Sequence, residues 1–319
     1  MMSRKAVFIV VVIIAVITIG GLLKDWLFSG DNSKIYYLGI WKNTPAWNLA
    51  LAVKHQNVKQ IEKIAKSRPE GLNYQEQKFG ATLLIWAVGM EKYKSAEALL
   101  KCGADPNIAT AHAGETALFV AAGYSWVDYR FKKDPKYVKL LLKYGADPNF
   151  NYVGFGTTAD GARDITESGT SPLMHSIGCG IEKTKALVEG GADINYKTAS
   201  GRTVAIKALI AGAINVPEEQ LEYAYYLIAL KRAKVTDPYY RGELFTMPGD
   251  DPKEKFYPVN ILRDWIPDLN SKGHRMKMAI VKEFARQGVD YHKTKISDER
   301  LRQIKKLYPD TWQEYIKNY

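Results

Sequence analysis

The sequence predicts an all-α fold: a solenoid of about five to six stacked helical repeats, preceded by an N-terminal transmembrane helix. Three observations predict it. The pentapeptide Gly-Ala-Asp-x-Asn occurs three times, at Gly103–Asn107, Gly145–Asn149 and Gly191–Asn195. Each copy is preceded by an apolar helical run, and Gly-x-Thr or Gly-x-Ser starts stand at Gly80, Gly114, Gly169 and Gly201, a period near 33 once the insertions are set aside. Before all of this lies an unbroken apolar run, Ala6 to Leu23.

That run follows Arg4 and Lys5 and is just long enough for a bilayer core. It has no small-x-small cleavage site after it, and the first cysteine is Cys102, so neither a cleaved signal peptide nor a lipoprotein fits well. It reads as a signal anchor over 6–23, behind a short cytoplasmic N-terminus at 1–5. The flanking positive charges favour N-terminus inside, with the large domain translocated. A linker over 24–44 leads to it. The expected location is a single-pass membrane protein with an extracytoplasmic domain, on the periplasmic side of the inner membrane in a Gram-negative cell.

The repeats occupy 45–235. In each unit a Thr or Ser caps a short first helix: Thr82, Thr116, Ser171 and Thr203. Pro172 suits the first turn. Small residues such as Ala87, Ala121 and Ala122 let a second helix lie close. That second helix ends on glycine, at Gly103, Gly145 and Gly191, where a left-handed residue is needed. Asp-x-Asn then forms a turn through local side-chain hydrogen bonds. A degenerate first unit begins at Pro45, with helices predicted at Trp47–Ala52 and Val58–Ala65. Over 236–319 a poor sixth copy (Pro258–Leu262 with Ile280–Phe284) leads to an amphipathic capping helix at 297–318.

With Gly-x-Thr-Leu-Leu at Gly80–Leu84, Gly-x-Thr-Ala-Leu at Gly114–Leu118 and the Gly-Ala-Asp-x-Asn turns in place, the chain resembles the ankyrin-repeat family. The family's usual histidine after Thr-Pro-Leu is replaced by Ile85, Phe119, Met174 and Ile206, exchanging a polar network for apolar contacts. Three insertions depart from the pattern. One lies between the helices of the third unit, around Tyr124, Trp126, Tyr129 and Phe131. The second lengthens the finger loop at 150–168, and the third is the loop Thr236–Tyr257.

Composition argues for a folded domain, with 46% hydrophobic and 25% charged residues. The net charge of +11 is spread along the chain, as on a solvated surface, so no nucleic-acid partner is expected. The five histidines stand apart and outside metal-binding spacings, so no metal or cofactor is expected. Gly154–Gly161 lacks the Gly-Lys-Ser/Thr of a phosphate loop. No paired carboxylates or nucleophile elbow stand out. Neither an enzyme nor a small-molecule substrate is expected.

Binding is what a stacked-repeat architecture offers, through its concave face and finger loops. The expected partner-binding residues are Phe150, Tyr152, Phe155, Asp160, Arg163 and Asp164 in the finger, with Tyr124 and Trp126 in the interhelix insertion. The competing reading is that the finger aromatics fold back to cover the edge of the solenoid, and that Tyr124, Trp126, Tyr129 and Phe131 form a small satellite core. The resemblance implies a protein-binding module, and by analogy with bacterial envelope members an inhibitor or immunity factor of a secreted toxin such as a phospholipase. The alternative is a cytoplasmic-facing scaffold for a membrane enzyme; a third reading, an enzyme built on 236–319, would need activity surviving loss of the repeats.

Overall fold

A chain of short helices in which each pair ends on a glycine turn needs neighbours, because no pair can bury its apolar face alone. The computed structural model describes residues 35–319 except 112, 124, 129–131, 155–165, 214–217, 242–248 and 252. Helices pair in succession: α1 (Trp47–Lys54) with α2 (Val58–Ser67), α3 (Leu83–Gly89) with α4 (Tyr93–Lys101), and α5 (Ala117–Ala122) with α6 (Lys136–Lys143). There follow α7 (Pro172–His175) with α8 (Ile181–Glu189), α9 (Val204–Gly212) with α10 (Glu218–Ala224), and α11 (Pro258–Arg263) with α12 (Lys272–Arg286). First helices lie against first helices of the next unit, as α3 on α5 and α5 on α7; second helices do the same, as α2 on α4 and α6 on α8.

The predicted caps are made. The backbone N–H groups of Ile85, Phe119, Met174 and Ile206 donate to the hydroxyls of Thr82, Thr116, Ser171 and Thr203 at 3.1–3.3 Å. The same four apolar residues, standing where the family has histidine, are at most 3% exposed, so apolar contact does replace the polar network. Gly103, Gly145 and Gly191 take φ between +85° and +94°, the left-handed stop the sequence requires.

The repeated asparagines have a further use that spacing alone does not disclose. Asn107 Oδ1 accepts from the Asp147 N–H of the next unit at 2.7 Å, and its Nδ2 donates to Gly145 O at 3.0 Å. Asn149 repeats both bonds with Asp193 and Gly191. Asn73 begins the ladder by accepting from Asp105 N–H, and Asn195 ends it by accepting from Lys234 N–H. Within each turn the aspartate Oδ1 accepts from the asparagine N–H two residues on. At the last interface the sequence Arg232-Ala-Lys-Val-Thr236 has no asparagine. Gln287 instead reaches back, accepting from Val235 N–H and donating to Ala233 O, both at 3.1 Å.

Three expectations are refined, and one helix shows a feature with no counterpart among them. The first-unit helices run two residues further than predicted, because Leu49–Val53 and Ile61–Ala65 continue to bury one face. Helix α10 widens into a π-turn at Tyr225–Leu230. The closing segment is two helices, α13 (Asp298–Leu307) and α14 (Trp312–Asn318), since Pro309 lacks the N–H that would carry one helix through. The loop 236–257 is closed at its base by an antiparallel bridge between Tyr239 and Phe256, the only bridge among the described residues.

The cap is held by cation–π contacts. Lys277, fully buried, donates to Trp265 O at 2.7 Å and lies over the Tyr319 ring; Arg263 sits between the rings of Tyr291 and Tyr319. Among the described residues no helix is long and apolar enough to cross a membrane. The run 6–23 lies outside them.

Candidate partner-binding surface

The two insertions within the repeats are where the chain spends residues that the repeat does not need. Their anchoring decides whether they form a surface. The first leaves α5 at Gly123 and returns at Pro135. Trp126 folds back onto the preceding unit: its N–H donates to Gly89 O at 3.1 Å and its ring lies flat on Gly89. A Cβ at Gly89 would fall 2.2 Å from that ring, so only glycine lets it seat. Lys132 pairs with Asp128 at 2.7 Å and reaches Glu91 at 3.5 Å, on the turn between α3 and α4. Lys133 pairs with Glu219 on α10 at 2.6 Å. Ion pairs this exposed contribute little each, about 0–1 kcal/mol. Their geometry nonetheless stretches the insertion along the stack from α3 to α10.

Beneath it is a cavity of about 120 Å³, lined by Val88, Val120, Gly123, Ser125, Tyr137 and Lys183, with Glu91, Lys132, Asp134 and Lys136 toward its rim. Lys183 is 4% exposed and its ammonium donates to Gly123 O at 2.6 Å. Burial pulls its pKa below the usual lysine range. The Tyr137 hydroxyl is buried without a hydrogen-bond partner, and burial, reinforced by Glu91, pushes its pKa up.

The second insertion begins at a column of rings. Tyr152 stacks on Phe119 at 5.1 Å, and Phe119 stacks on His175 at 4.2 Å. Burial, with Lys207 and Lys183 nearby, pushes the His175 imidazole down to about 3. The base of the finger is fastened on both sides. Tyr152 N–H donates to Thr170 O, Gly169 N–H to Tyr152 O, and Gly154 N–H to Ala113 O in the preceding finger. On the following side Arg202 stands 3.8 Å from Glu167.

The expected binding residues therefore divide. Trp126 is half-buried against Gly89, and Phe150 is half-buried at the foot of the finger. Tyr152 is 4% exposed and its ring is committed to the Phe119 stack, the fold-back alternative for that residue. Tyr124, Phe155, Asp160, Arg163 and Asp164 lie outside the described residues. Tyr137, Lys183 and Glu91 carried no sequence signal. Lys183 lies in the ordinary helical run Ile181–Glu189, and only the neighbouring unit's Gly123 carbonyl makes it a buried cation.

Among the described residues no group of three or more His, Cys, Asp or Glu could hold a metal ion. Cys102 and Cys179 are both free thiols. The family model that matches is that of ankyrin repeats (3 copies), over residues 49–152. No curated protein matches the chain.

Proposed function

We propose that this ankyrin-repeat protein is a membrane-tethered module that holds one protein partner against its first-helix face, with the interhelix insertion and the 150–168 finger as the selective elements. Ankyrin repeats are protein-interaction modules, and the finer reading rests on one observation. Both insertions are fastened to other units of the stack, through Trp126, Lys133, Gly154 and Glu167, so each is held in a fixed place on its surface. Recognition of this kind draws on shape and a few buried anchor residues.

The tether is supported by the apolar run 6–23 and by how the chain joins the stack. The Trp86 indole N–H donates to Tyr36 O at 3.0 Å, and Trp41 meets Trp86 edge-on at 6.3 Å. The linker thus arrives on a first helix, and tethering there raises the local concentration of the face for a partner at the same membrane. Inhibition of, or immunity to, a secreted lipid-cleaving toxin is the form of this role that places partner and tether together. No catalysis is assigned.

The test is crosslinked capture with the full, anchored chain, repeated with 150–168 replaced by a short finger. Loss of the captured partner supports the finger's role, and unchanged capture overturns it. A reporter fused after Tyr319 reads the side of the membrane. A cytoplasmic signal would replace the extracytoplasmic reading with a scaffold facing the cytoplasm.

A further inference from the structure

The cavity under the interhelix insertion has an uneven charge inventory. Three lysines and two carboxylates line it. Glu91 stands 3.5 Å from Lys132, whose nearer partner is Asp128 at 2.7 Å, and its Oε1 is buried without a hydrogen-bond partner; Asp134 stands 3.4 Å from Lys136. Lys183, the deep one, pairs with no carboxylate among the described residues; its only bond there is to the Gly123 carbonyl. An ammonium has three donors, so two remain. Two further donors line the same cavity. The Tyr137 hydroxyl is buried and unpartnered. The Ser125 hydroxyl accepts from Val127 N–H at 3.1 Å and keeps its own hydrogen to give.

A buried cation without an anion is costly, and unmade hydrogen bonds nearby add to the cost. The group that satisfies all three at once is small, planar and anionic, with two acceptor oxygens. A carboxylate meets that description, and a cavity of about 120 Å³ takes it with the methylene that carries it. An incoming cation would meet Lys132 and Lys136 beside the two carboxylates and the buried Lys183 ammonium opposing it.

We propose that this cavity is the anchor pocket for an aspartate or glutamate side chain of the partner protein, whose carboxylate Lys183, Tyr137 and Ser125 receive. The proposal rests on the insertion-bearing face being the binding face, and it names the partner's chemistry: an acidic side chain reaching between units two and four. The cost of burying the Lys183 ammonium, which lowers its pKa, is then offset by the charge of the carboxylate.

The experiment is an NMR titration of the full chain, following the Gly123 and Ser125 amides. The probes are acetate, the peptide acetyl-Ala-Glu-Ala-amide, methylammonium, and chloride at matched ionic strength. Saturable shifts with acetate and with the peptide, and not with chloride, are expected. Tyr137→Phe, which keeps the ring, should weaken both by about tenfold, and Lys183→Met by more, as expected for hydrogen bonds to a charged group.

Saturation by methylammonium, equal shifts with chloride, or unchanged binding by a folded Lys183→Met variant would each overturn the proposal. Acetate binding with the peptide excluded would also overturn it, in favour of a free small carboxylate. If Lys183→Met fails to fold, the Tyr137→Phe arm decides alone. A titration without saturation refutes the pocket while partner capture stays intact, which separates its failure from that of the binding reading.

Discussion

Asn149 clamps the backbone of Asp193 in the following unit: its Oδ1 accepts from Asp193 N–H at 2.8 Å while its Nδ2 donates to Gly191 O at 3.1 Å. One side chain thereby satisfies a donor and an acceptor that the glycine stop leaves open. The repeated pentapeptide is thus a joint between units as well as a turn within one.

Asn149→Ala should destabilise the protein by about 1–2 kcal/mol, the net worth of two partly solvated hydrogen bonds. Asn149→Asp should lose most of this, because a carboxylate cannot donate to Gly191 O. Urea unfolding measures both. A loss confined to Asn149→Ala would show that donation to the carbonyl contributes nothing.

A Cβ at Gly123 would lie 2.3 Å from His175 Nε2, whereas at Gly103 nothing stands within 4 Å. Gly123→Ala should therefore cost about 1–3 kcal/mol through overpacking against a ring already stacked on Phe119. Gly103→Ala should cost about 1–2 kcal/mol from its positive φ alone. The distinguishing result is a rescue: His175→Ala should recover part of the loss at Gly123 and none at Gly103.

His175 makes stability depend on pH. Its folded pKa, pushed down to about 3 by burial and by Lys207 and Lys183, lies below the ordinary 6.5. The unfolded chain takes up the proton between those values and the folded chain excludes it. The contribution is therefore complete above about pH 6.5 and is lost as pH falls toward 3. In His175→Phe, which preserves the ring stack, that dependence should vanish. The wild-type minus variant difference should slope by up to about 1.4 kcal/mol per pH unit in this window and stay flat above it. A flat difference throughout would mean that the imidazole is protonated in the fold.

Cys179 is buried, and burial pushes its thiol up to about 11 against the opposing pull of Lys183 and Lys207. The thiolate is the reactive form, so Cys179 should resist a thiol reagent at neutral pH until the protein unfolds. Cys102, half-buried at the end of α4, should react first. Labelling followed by peptide mapping checks the order; rapid native labelling of Cys179 would contradict it.

Much of the fold was legible because its signals are local. A threonine cap depends on the three residues after it, and a left-handed stop on the absence of a Cβ, so Thr82, Thr116, Gly103 and Gly145 could be placed from the sequence. The site was legible only as an address. That the 124–131 stretch is an insertion follows from spacing. That Trp126 lies on Gly89 does not, because Gly89 belongs to the preceding unit and no local pattern links the two. Tyr152 shows the same limit. An aromatic in a finger serves an exposed face or a buried one equally well in sequence, and the Phe119 ring on α5 decided for burial.

By itself the sequence determined the caps and the stops, since each rests on backbone conformations and hydrogen bonds spanning a few residues. The tertiary structure alone decided which side chains meet across unit boundaries: Asn149 with Asp193, Trp126 with Gly89, Lys183 with Gly123. Those meetings depend on how one unit stacks on the next, an arrangement set by the summed burial of whole helix faces rather than by any short stretch of chain.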